Sequence, residues 1–287
     1  MSAPEPIESA RGARRLRRRG RRAGGRSYVA LLPQLLTTGN LAAGFYAIVN
    51  SSNGHYGRAC VALIVAGVFD ILDGRVARMT RATSRFGLEY DSIADTVSFG
   101  VAPAILAFHA GEFAELGWTG WVMAFMFTAC AALRLARFNV TPGRYRGRFE
   151  GLASPAAAGM VLSAVLFSLF LQEADLDPRL PASIPAIGVA SLGLLMVSSI
   201  PYRSFKEVRI RGSHRSVVMM VVAFLVILAK PEVTLFAIGL AYVASGPIEW
   251  LWRRRTGQVL EEIDHDEESA PQAGAGASAD PAPRANP

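Results

Sequence analysis

Four aspartates, Asp70, Asp73, Asp91 and Asp95, stand among apolar residues, with Arg78 between the two pairs. A carboxylate within a membrane helix costs about 2.5–3.5 kcal/mol on insertion scales, so a chain that keeps four must hold them against positive charge. On a helix of 3.6 residues per turn, Asp70, Asp73, Gly74, Ala77 and Arg78 share one face, as do Ser84, Gly87, Asp91 and Asp95 on a following helix. Two such helices facing each other direct four carboxylates into one pocket. An oxygen-only ligand set suits a hard divalent cation, Mg²⁺ or Mn²⁺. Two ions a few ångström apart clamp a pyrophosphate and stabilise both the attacking and the leaving oxygen. Arg78 adds a planar fork for phosphate oxygens. Gly74, Ala77 and Gly87 leave room for a ligand or a neighbouring helix to approach closely.

The elements that carry this pattern are membrane helices. Of 287 residues, 51% are hydrophobic and only 18% charged, with a mean hydropathy of +0.28. That composition excludes an ordinary soluble domain. The net charge of +7 is concentrated rather than spread, with nine arginines between Arg11 and Arg26. No aromatic residue interleaves with them, which argues for lipid headgroups over nucleic acid. Residues 1–27 read as a disordered basic tail, 28–256 as a polytopic catalytic domain, and 257–287 as a second disordered tail, acidic and then rich in Ala and Pro. The arginine-rich lead is too long for a secretory signal, so the first apolar run reads as a retained membrane element.

Eight apolar segments are expected, at about 33–51, 57–78, 91–110, 117–137, 154–173, 183–201, 214–230 and 232–252. Lysines and arginines fall in loops 79–90, 138–153 and 202–213 and after Trp252, while the opposite loops hold only Arg58, Arg179 and Lys230. This asymmetry places both termini in the cytoplasm and the aspartate pattern at the cytoplasmic face. Trp118, Trp121, Trp250 and Trp252 mark segment ends, where interfacial aromatics belong. The two cysteines, Cys60 and Cys130, lie in apolar runs and read as packing residues. None of His55, His109, His214 and His265 has a second ligand at metal-binding spacing.

The full spacing is Asp-x2-Asp-Gly-x2-Ala-Arg-x8-Gly-x3-Asp-x3-Asp. It resembles the signature of the CDP-alcohol phosphatidyltransferase family at every fixed position. The flanks 96–104, Arg134 to Asn139, Phe149 to Gly159 and Pro33 to Gly44 are similar to the branch of that family that uses serine, although Ala153 stands where the branch usually has proline. The resemblance covers about residues 30–250. It implies an all-α integral membrane fold with a six-helix core, two Mg²⁺ or Mn²⁺ ions, CDP-diacylglycerol as donor, L-serine as acceptor, phosphatidylserine and CMP as products, and a homodimer. It implies metal ligation by Asp70, Asp73, Asp91 and Asp95, a general-base role for Asp95, and contacts to the CDP moiety from Gly74, Arg78 and Ser84. The compartment it implies is the cell inner (cytoplasmic) membrane.

Several residues stay open to two readings. Arg134 and Arg137 either bind a serine carboxylate or phosphate, or anchor the end of a segment at a positively charged face. Asn139 is ambiguous in the same way. Thr37 and Asn40 either line the nucleotide site or bridge helices by hydrogen bonds. A glycerol 3-phosphate or inositol phosphate acceptor would want extra basic residues, which Arg144, Arg146 and Arg148 offer. A cation-coupled transporter would instead place acids at mid-membrane within an internal repeat, and no repeat is evident. A lipid-binding scaffold recruited by the basic tail would have no need of Asp95.

Overall fold

The computed structural model describes residues 31–80, 84–140, 148–176, 180–203 and 230–256. Helices dominate because long runs of Ala, Leu, Val and Ile satisfy their own backbone hydrogen bonds only in that form. Helix α1 spans 31–52, α2 Tyr56–Thr80 and α3 Arg85–Asp95. The chain continues without a break through a π-helical turn, Thr96–Val101, into α4, Ala102–Ala110. A short 3₁₀ turn at Phe113–Leu116 leads to α5, Trp118–Val140. Helices α6, Ser154–Glu173, α7, Ser183–Val197, and α8, Pro231–Thr256, complete the described elements.

Four of these stretches are long and apolar enough to cross a membrane: Arg85–Ala110, Trp118–Val140, Ser154–Glu173 and Pro231–Thr256, with Ser183–Val197 a shorter apolar helix. The outward faces are apolar as well. Val61, Ile64, Val65, Val68 and Ile71 on α2 and Trp121, Val122 and Phe125 on α5 are all exposed. An exposed apolar surface of that extent belongs against lipid. The result is a helical protein of membrane type.

The interior divides into two clusters. One is built around Phe113, Phe127, Leu152, Met196 and Tyr202, where α5 packs along α7 and α6 along α8. The other gathers Ala47, Cys60, Leu63, Leu106 and Leu162. Close approach depends on small residues. A Cβ on Gly44 of α1 would lie 2.4 Å from the Ser98 hydroxyl of the π turn, so only glycine lets these two elements meet.

Two departures from the sequence reading stand out. The expected segment 183–201 stops at Val197, and Pro201–Arg203 forms strand β2, paired antiparallel with β1, Arg148–Glu150. Gly151 follows β1 at φ 72°, and a Cβ there would strike the Met196 carbonyl at 2.3 Å. Its N–H donates to Ile200 O at 2.9 Å, and Leu152 N–H to Leu195 O at 3.0 Å. The hairpin thereby joins the start of α6 to the end of α7. Tyr202 extends the clamp by donating its hydroxyl to Val243 O of α8 at 3.0 Å. The expected segment 214–230 and both expected tails lie outside the described residues.

Candidate active site

Helices α2 and α3 bring together three of the four aspartates that the spacing directs into one pocket. Oxygens of Asp70, Asp91 and Asp95 all lie within 4.8 Å of one another, each side chain half-buried. Asp73, only 4% exposed, turns toward α1, where its Oδ2 accepts from the Thr37 hydroxyl at 2.9 Å. Asp95 Oδ1 accepts from Asn40 Nδ2 at 3.1 Å. Thr37 and Asn40 are three residues apart and so share one face of α1, giving one donor to each helix opposite. Asn40 is fully buried and is held in turn by Ser98, whose hydroxyl donates to the Asn40 backbone carbonyl at 3.1 Å.

No Lys or Arg among the described residues forms an ion pair with any of the four aspartates. Asp91 Oδ1 is buried and has no hydrogen-bond partner at all. Like charges this close repel strongly away from bulk water, and an orphaned buried carboxylate oxygen carries a full desolvation penalty. A divalent cation removes both costs. The donor set, carboxylates alone, fits Mg²⁺ or Mn²⁺ rather than a soft metal.

The residues that the resemblance assigns to the nucleotide lie at the ends of the same two helices. The Arg78 guanidinium folds back over Gly74, where an added Cβ would be 3.6 Å from Nη1. Ser84 is the N-cap of α3, its Oγ accepting from Gly87 N–H at 3.0 Å. This explains why α3 begins at Arg85, a turn and a half before the apolar run itself. Thr38 and Tyr90 join hydroxyls at 3.0 Å across α1 and α3. An apolar groove opens between α1 and α2, lined by Gly39, Ala43, Tyr46, Val61 and Phe69, and Phe69 neighbours Asp70.

Helix α5 closes the other side. Asn139 Nδ2 donates to Ser92 Oγ at 2.8 Å, next to Asp91. The two arginines of uncertain role differ sharply. Arg137 forms an ion pair with Glu150 of β1, whereas Arg134 has a buried Nε with no partner. The π turn, Tyr90 and Ser98 were not anticipated from the sequence. The only sequence signal for the turn is a run of small and hydroxylated residues, Thr96, Ser98 and Gly100, straight after Asp95. π turns often occur at functional sites.

The CDP-alcohol phosphatidyltransferase family model matches residues 30–246, most of the chain and every residue of this cluster. The chain belongs to the CDP-alcohol phosphatidyltransferase family. Among curated proteins it is similar to the CDP-diacylglycerol–serine O-phosphatidyltransferase of Helicobacter pylori, 33% identical over 77% of this chain and 92% of the relative. A protein of the same name from Mycobacterium leprae is 32% identical over 76% of this chain and 73% of the relative. The archaetidylserine synthase of Methanothermobacter thermautotrophicus is 37% identical over 61% of this chain and 70% of the relative. The chain is therefore an enzyme, a transferase.

Proposed function

We propose that this transferase moves the phosphatidyl group of CDP-diacylglycerol to the hydroxyl of L-serine, giving phosphatidylserine and CMP. The observation that carries the reaction class is the convergence of Asp70, Asp91 and Asp95 within 4.8 Å, with no ion-pair partner among the described residues. The serine assignment is supported by relatives named for serine transfer in two bacterial genera and by the archaetidylserine synthase likeness.

In this reading Asp70, Asp73, Asp91 and Asp95 hold two Mg²⁺ or Mn²⁺ ions. Bound there, the ions would neutralise the pyrophosphate and polarise its phosphorus–oxygen bonds. Arg78, lying over Gly74, pairs with phosphate oxygens, and Gly74 and Ser84 flank the nucleotide. Asp95 Oδ1 is fixed by Asn40, which aims the carboxylate. As general base, Asp95 takes the proton of the serine hydroxyl. The serine oxygen forms the new bond to the lipid-side phosphorus. The bond from that phosphorus to the bridging oxygen breaks, and CMP leaves with the electron pair. The groove beside Phe69 gives the donor's acyl chains a path in from the bilayer.

The wider setting is proposed on the same basis. The catalytic domain is 28–256 with tails at 1–27 and 257–287. It has eight transmembrane helices, the seventh at 214–230, with both termini and the active site facing the cytoplasm of a cell inner membrane. It works as a homodimer. The test is CMP release by purified protein in detergent with CDP-diacylglycerol and Mn²⁺ or Mg²⁺, offering L-serine, glycerol 3-phosphate, inositol and inositol phosphate separately. Release with serine alone is expected. Release only with a phosphorylated acceptor overturns serine but keeps the mechanism, and no release from folded protein overturns both.

A further inference from the structure

Most lysines and arginines gather on the acid-cluster side of the apolar segments, which leaves Arg58, in the first turn of α2, as an outlier. It is exposed and forms no ion pair among the described residues. Arg58 lies at one end of the apolar groove between α1 and α2, and Phe69, beside Asp70, lies at the other. The two helices run in opposite directions. Gly39 of α1 faces Phe69, where an added Cβ would meet the ring at 3.1 Å. Tyr46, two turns further along α1, therefore stands at the Arg58 end, and it lines the groove as well. Tyr46 is exposed, and its hydroxyl has no hydrogen-bond partner among the described residues. Gly57, next to Arg58, opens onto free space, since a Cβ there would meet nothing within 4 Å. Residues 57 to 69 of α2 cover about 18 Å of helix, where the hydrocarbon of one leaflet is about 15 Å deep.

We propose that this groove seats an anionic phospholipid of the leaflet opposite the acid cluster, with its phosphate on Arg58 and Tyr46 and an acyl chain running toward Phe69. A guanidinium and a phenol hydroxyl, two donors without acceptors, match phosphate oxygens. The donor proposed above keeps its diphosphate at the acid cluster, so its chains enter beside Phe69 and account for that end alone. A chain tip pushed on to the far end would meet a guanidinium. A lipid seated from the far side puts its own negative charge there instead. The reverse placement fails, because a phosphate at the Phe69 end would approach the carboxylates. A headgroup that carries no cation of its own gains the full charge pairing, which selects anionic over zwitterionic lipids. The two lipids thus come from opposite leaflets and meet tail to tail in one groove.

The experiment titrates the purified full-length protein, in a neutral maltoside detergent, with dilauroylphosphatidylglycerol or dilauroylphosphatidylcholine and follows the melting temperature. Phosphatidylglycerol should raise it, with half the effect at a mole fraction about tenfold lower than phosphatidylcholine needs. Arg58→Gln should weaken the phosphatidylglycerol response about 10-fold and bring it level with phosphatidylcholine. Arg58→Lys, which keeps the charge and loses the fork, should weaken it about threefold. Tyr46→Phe should cost about two- to threefold. Gly57→Leu keeps both donors but fills the free space beside them, and should weaken the response about 10-fold by exclusion. Arg75→Gln, exposed at the other end of α2, should stay within about twofold and reports on headgroups bound at the opposite face. No rise with phosphatidylglycerol, an equal response to the two lipids in the wild type, or an unchanged response in Arg58→Gln overturns the proposal. A loss in Arg58→Gln with full binding in Gly57→Leu would put the lipid outside the groove and overturns it as well.

Discussion

Asn40 is fully enclosed, and it donates to the carboxylate proposed as the general base. Replacing it with alanine strips Asp95 of its one fixed donor. The expected cost is about 1–3 kcal/mol of stability for the lost buried bond. Turnover should fall further than stability does, by roughly 10- to 100-fold, with the CDP-diacylglycerol KM little changed. Steady-state kinetics beside thermal melting checks this, and a drop in melting temperature with full turnover would contradict it. Asp95→Asn itself should lower kcat by about 10²–10⁴, the usual contribution of a general base. Binding of the donor should survive that substitution. The aspartates were legible in the sequence because their spacing is rigid and their placement in apolar helices is costly. Thr37 and Asn40 were visible only as polar residues in a helix, since spacing within α1 says nothing about what faces it. Arg134 and Arg137 were indistinguishable by sequence, because both sit where a positive loop-proximal residue is expected. Among the described residues the partner separates them: Arg137 pairs with Glu150, while the buried Nε of Arg134 has no hydrogen-bond partner.

At the scale of elements, the site depends on α1 lying flush against the π turn. Gly44→Ala places a methyl group 2.4 Å from Ser98 Oγ and 3.0 Å from its Cα, so α1 must move outward. Overpacking of this kind costs about 1–3 kcal/mol. Because Asn40 lies one turn away, activity should fall together with stability, and Ser98→Gly in the same chain should recover only part of either, since it clears the hydroxyl at 2.4 Å but keeps the Cα at 3.0 Å and gives up the bond to the Asn40 carbonyl. Melting and turnover of the single and double variants decide it. Helix boundaries were largely readable from apolar length. Helix α3 begins at Arg85, before the expected start at 91, and Ser84 caps it rather than lying on its face. The β1–β2 hairpin was not, since two three-residue strands leave no alternating pattern long enough to see and sit in arginine-rich connections. The π turn was equally hidden, because one extra residue in a helix barely disturbs its apolar period.

For the molecule as a whole, the proposed orientation rests on charge asymmetry across the apolar segments. Both native cysteines are buried, which leaves a quiet background for thiol labelling. Asn53→Cys, in the exposed turn between α1 and α2, should react with a membrane-impermeant thiol reagent added to intact cells. Thr256→Cys, at the exposed end of α8, should react only after permeabilisation. The opposite pattern would invert the proposed topology. Removing divalent ions with a chelator should abolish turnover, and Mn²⁺ or Mg²⁺ should restore it. The same ions should raise the melting temperature, as any ligand of the native state does, and Asp91→Asn should blunt that rise.

The four carboxylates, both of their donors on α1 and the π turn all fall within residues 31–110, while Arg134 and the hairpin clamp come later in the chain. The whole acid cluster is therefore translated before any of α5 to α8. Among the described residues, Thr37 and Asn40 are the only side chains that donate hydrogen bonds to those carboxylates. The nascent chain thus meets the cost of its acids with its own first helix, and an ion captured at that stage would assist insertion before it ever assisted a reaction.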